Sequence, residues 1–106
     1  MFAYIVIGGP STRKSSIIRS LVGCHNRTTR DVLFSNGKKN KVYVRVSSLQ
    51  ETSTSAQEFI TETTRSGCDV VLFPLWLQAK APFPDAADYL NILSAAGWSL
   101  VKIAVL

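Results

Sequence analysis

The chain has 106 residues, of which 46% are apolar, with a formal charge of +5 and two cysteines. That length allows one domain, residues 1–106, built on one core; the apolar content excludes general disorder, and no apolar run reaches the ~20 residues that span a bilayer. The charge is uneven, with nine Lys or Arg against the single acid Asp31 in residues 1–45, and three against six acids in residues 46–106.

Phe2–Ile7 is a continuous apolar run closed by Gly8-Gly9-Pro10, which predicts a strand buried on both faces. A helix is expected from about Lys14 to Val22, with Ile17, Ile18, Leu21 and Val22 at helical spacing and Gly23 as its stop. Asp31–Ser35 and Lys41–Ser48 read as two strands of a hairpin turning at Asn36-Gly37. In the second, Val42, Val44 and Val46 alternate with Tyr43 and Arg45, which predicts one buried and one wetter face. Ser55-Ala56-Gln57-Glu58 is a capping-box signature opening a helix that ends at Gly67. Val70–Leu77 is a further apolar strand, with Pro74 expected to mark its departure from the sheet. Pro84 or Asp85 opens a third helix closed by Gly97, and Trp98–Leu106 is a last apolar strand. Strands alternating with helices predict an α/β fold: a small, mainly parallel sheet with helices on both faces and the hairpin's first strand at an edge.

The chemistry-bearing segment is Gly8-Gly9-Pro10-Ser11-Thr12-Arg13-Lys14-Ser15-Ser16, between the first strand and the first helix. It resembles the P-loop of nucleotide-binding proteins, G-x-x-x-x-G-K-[ST], with Gly8, Lys14 and Ser15 at matching positions and Arg13 in place of the second glycine. It is also similar to the G-G-P-G-S-G-K-G-T loop of nucleoside monophosphate kinases, where Gly8, Gly9, Pro10 and Lys14 match. Ser11, Arg13 and Ser15 replace glycines of that loop, and Thr12 and Ser16 stand at its Ser and Thr.

The resemblance implies a P-loop NTPase-like fold that binds ATP or GTP with Mg²⁺. Backbone N–H groups from Gly8 to Ser16 would wrap phosphate at a helix N-terminus. Lys14 would reach the terminal phosphates, and the hydroxyl of Ser15 (or Ser16) would ligate the metal. Arg13 costs on the order of 1–2 kcal/mol if a positive φ is needed there, although a guanidinium also binds phosphate directly.

Turnover needs an acid at the end of a core strand to organise magnesium. The two candidate strands end in Val46-Ser47-Ser48-Leu49 and Phe73-Pro74-Leu75; Glu51, just beyond the first, is the one nearby carboxylate to nominate as a metal ligand. The segment also resembles the D-x-x-G-Q-E pattern of small GTPases at Gln50 and Glu51, with Val46 and Leu49 replacing its Asp and Gly. Slow or absent hydrolysis is therefore expected.

Other side chains carry weaker signals. Cys24-His25 supplies two metal ligands where a zinc site needs four. Trp76, Phe83 and Trp98 read as core or rim aromatics, and Glu58 and Glu62 share a solvent-facing helix turn. Tyr43 and Arg45, with basic residues 13–45 generally, are candidates for a nucleic-acid surface. With no basic residue in the apolar Met1–Ile7 stretch and Gly8-Gly9-Pro10 stopping it early, a leader is not expected, and a cytoplasmic protein with reduced cysteines is. The apolar Trp98–Leu106 strand, with Lys102 as its one charge, predicts a homodimer or a larger protein partner. The readings left open are phosphate or nucleotide binding, a non-catalytic interaction or inhibitor protein on the same scaffold, and a basic nucleic-acid-binding module.

Overall fold

The computed structural model describes residues 1–9, 18, 28–33, 39–79 and 81–105, with only the backbone described for 28–33, 39–40 and 103–105. Five strands form one sheet: β1 (Phe2–Gly8), β2 (Thr28–Leu33), β3 (Lys39–Val44), β4 (Val70–Trp76) and β5 (Ser99–Val105), in the order β2-β3-β4-β1-β5. β3, β4, β1 and β5 run parallel, and β2 lies antiparallel at the edge, as the sequence predicts for the hairpin's first strand. The hairpin pairs Thr28 with Val44 and Leu33 with Lys39, so β2 begins before Asp31; the Asn36-Gly37 turn lies outside the described residues.

Two helices, α1 (Ala56–Ser66) and α2 (Ala86–Ala95), carry the chain from β3 to β4 and from β4 to β5. The α1 start is the capping box expected at Ser55: Ser55 Oγ accepts from Glu58 N at 3.1 Å, and Glu58 Oε1 accepts from Ser55 N at 3.1 Å. Gly67 ends it at φ 72°, a left-handed conformation that only glycine adopts without strain. Asp85 caps α2, its Oδ1 accepting from Asp88 N at 3.0 Å.

The sheet has a different core on each face. Ala3, Ile5 and Ile7 of β1 and Val71, Phe73 and Leu75 of β4 pack with Phe59 of α1 and Tyr89 and Leu93 of α2. Phe59 and Phe73 meet with ring centroids 4.6 Å apart, and Trp98 closes the cluster 5.8 Å from Phe59. Removing a ring so placed costs about 3–5 kcal/mol. The alternate residues Val6, Val42, Val44, Val70 and Leu72 pack on the other face with Ile18, which is fully buried and helical in backbone. The rest of the predicted Lys14–Val22 helix lies outside the described residues.

Handedness explains this division. From β3 to β4, and again from β4 over β1 to β5, the chain moves the same way across the sheet, and both connecting helices lie on the same face. From β1 to β3 it moves the opposite way, and Ile18 lies on the opposite face, as right-handed crossovers require.

Two expectations are corrected. Tyr43 and Arg45 do not form a wetter face: both are buried, because a parallel strand inside a two-faced sheet is covered on both sides. Pro74 does not end β4, which runs on to Trp76 with Pro74 paired to Val6. Leu72 O accepts from Arg45 N, so even-numbered β4 residues direct their backbone polar groups towards β3. The N–H that Pro74 lacks would face that side, beyond the Val44–Leu72 pair that ends the register of β3 with β4.

Candidate functional site at the carboxyl edge of the sheet

Gly8 is the last residue of β1, second from one edge of the sheet and flanked by β4 and β5. Leu77 N donates to Gly8 O at 2.9 Å, which ties the ends of β4 and β1 together. Ile18, the next described residue after Gly9, packs on one face of the sheet, whereas α2, which follows β4, packs on the other. Adjacent parallel strands whose connections part to opposite faces leave a crevice between their carboxyl ends, the usual ligand position in an open α/β sheet. Gly8, Gly9, Trp76 and Leu77 stand together at the carboxyl end of this pair of strands. Of the sequence-predicted phosphate ligands, Gly8 and Gly9 stand here; Ser11, Thr12, Arg13, Lys14, Ser15 and Ser16 lie outside the described residues.

The segment after β3 forms the neighbouring part of this edge. Residues 48–54 turn tightly, with Thr52 N donating to Ser48 O, Ser53 N to Gln50 O and Thr54 N to Leu49 O. Ser53 takes φ 54°, a left-handed value that costs a non-glycine residue about 1–2 kcal/mol. Gln50 is fully buried and committed to β4: its Nε2 donates to Trp76 O at 2.9 Å and Pro84 O at 3.3 Å, and its Oε1 accepts from Trp76 N at 3.1 Å. Such an amide is not free to orient a water, so the likeness of Gln50-Glu51 to a GTPase motif does not extend to that role. Glu51 is exposed on the turn, and the described residues hold no group of three His, Cys, Asp or Glu positioned for a metal.

Ser48 is the residue that sequence reasoning missed. It is 1% exposed, and its hydroxyl has no hydrogen-bond partner among the described residues. Its one visible signal was a polar residue at the end of the predicted Lys41–Ser48 strand.

Arg45 has a structural role. Its Nη1 donates to Thr54 Oγ1 at 3.1 Å and pairs with Glu62 Oε2 at 3.4 Å, its Nη2 donates to Thr52 Oγ1 at 2.5 Å, and its guanidinium lies 5.7 Å from the Phe59 ring centroid. Buried in this way, Arg45 and Tyr43 are removed from any nucleic-acid surface, and Glu62 is an ion-pair partner instead of a simple solvent-face acid. Trp98 is core, as expected, and Trp76 and Phe83 are half-buried.

A groove of about 590 Å³ lies along the outer side of α1, lined by Thr52, Ser53, Gln57, Glu58, Thr61 and Arg65 among others. None of the sequence-predicted site residues lines it. Hydrogen bonds from Ser55 to the Glu58 carboxylate hold its pKa below the ordinary value of 4.5. Cys68 is a buried free thiol, and Cys24-His25 lies outside the described residues. No helix among the described residues is long and apolar enough to cross a membrane. Compared with known proteins, the chain matches no family model, no curated protein and no solved structure.

Proposed function

We propose that the chain binds a nucleotide, or another phosphate anion, at the carboxyl end of β1 through the Gly8–Ser16 segment, with little or no hydrolysis. The observation that supports this most is the position of Gly8-Gly9: a glycine pair stands at the carboxyl end of β1 beside β4, and Ile18 and α2, which follow the two strands, pack on opposite faces, the arrangement that places ligands in open α/β sheets. Glycine lets backbone and phosphate approach closely there, and Lys14 is the cation of the following segment. Slow chemistry follows from the segment beyond β3 and the end of β4, where Ser47-Ser48 and Trp76-Leu77 supply no carboxylate to hold magnesium. With Mg²⁺ present, Ser15 and Glu51 are the residues to test as its ligands. The lack of an acid at those strand ends equally supports the second reading, a non-catalytic interaction protein in which the site binds a ligand without turning it over.

Calorimetric titration of the wild type and Lys14→Ala with ATP, GTP and inorganic tripolyphosphate, with and without Mg²⁺, tests the proposal. Binding by the wild type and at least tenfold weaker binding by a folded Lys14→Ala variant are expected. Failure of all three anions to bind the wild type at millimolar concentration would remove the reading.

A further inference from the structure

We draw no further inference here: the strongest candidate, the polar groove along the outer side of α1, carries nothing, because its wall groups Thr52, Thr54 and Glu62 are spent on Arg45 and Glu58 on Ser55, and nothing in the structure shows what would occupy it.

Discussion

The Gln50 carboxamide pairs with both backbone polar groups of Trp76, donating to its carbonyl at 2.9 Å and accepting from its N–H at 3.1 Å. Trp76 is an even-numbered residue of β4, so those groups point towards β3, whose register with β4 ends at Val44 and Leu72. Gln50 thus acts as a one-residue extension of β3, made by a side chain folded back from the following turn. Since Trp76 is paired with Gly8, this contact also fixes the strand end beside the proposed phosphate site.

Gln50→Ala is accordingly expected to cost about 2–4 kcal/mol in urea unfolding, because the Trp76 and Pro84 backbone groups lose their partner in a half-buried place. Gln50→Glu should be no better at neutral pH, since it loses the donor and brings a charge into a fully buried position. A loss below about 0.5 kcal/mol for Gln50→Ala would show that solvent replaces the amide and that Gln50 holds nothing in place.

Much of the fold was legible because each element carried its own signal. The capping box at Ser55 and the end at Gly67 depend on local chemistry and occur as read. Arg45 was misread because alternation within one strand cannot reveal what lies over its second face. Only the packing of α1 brings Thr54 and Glu62 to the guanidinium, from positions 9 and 17 residues away. Pro74 was misread for a similar reason: whether a missing N–H matters depends on the neighbouring strand it faces. At the candidate site, the glycine pair was visible as sequence, but Ser48 was not. Its burial and the lack of a partner for its hydroxyl among the described residues depend on packing and are not written along the chain.

Tyr89 provides a pH-dependent test of the α1–α2 packing. Its ring is fully buried, and its hydroxyl donates to Thr54 O at 2.5 Å. Burial, aided by the negative charge of Glu58 and opposed by Arg45, pushes its pKa from 10 up to about 12. The folded state therefore favours the neutral phenol: the stability it contributes is complete below pH 10 and is lost as pH rises from 10 to 12. Unfolding curves across that window should show the stability advantage of the wild type over Tyr89→Phe shrinking steadily. Curves that stay parallel through pH 12 would mean that the phenol is ionised as easily in the folded chain as in the unfolded one.

The last prediction concerns the edge at β5. Among the described residues this strand pairs with β1 alone, and its register slips between Ile5 and Val6. Val101 is 43% exposed and Lys102 is exposed beside it. An edge strand offers unpaired backbone groups to any second strand, and proteins commonly limit this with a bulge or a lysine. Both devices occur here, in a strand that otherwise reads Ser99-Leu100-Val101-Lys102-Ile103-Ala104-Val105. A homodimer expected from the apolar character of this strand would have to form against that lysine. Lys102→Val removes the charge, adds a β-branched residue and leaves the proposed phosphate site untouched. Light scattering over a concentration series is expected to show the variant associating at least tenfold more strongly than the wild type, with tripolyphosphate affinity unchanged. Superimposable concentration profiles for the two proteins would mean that the β5 edge is not where copies of this chain meet.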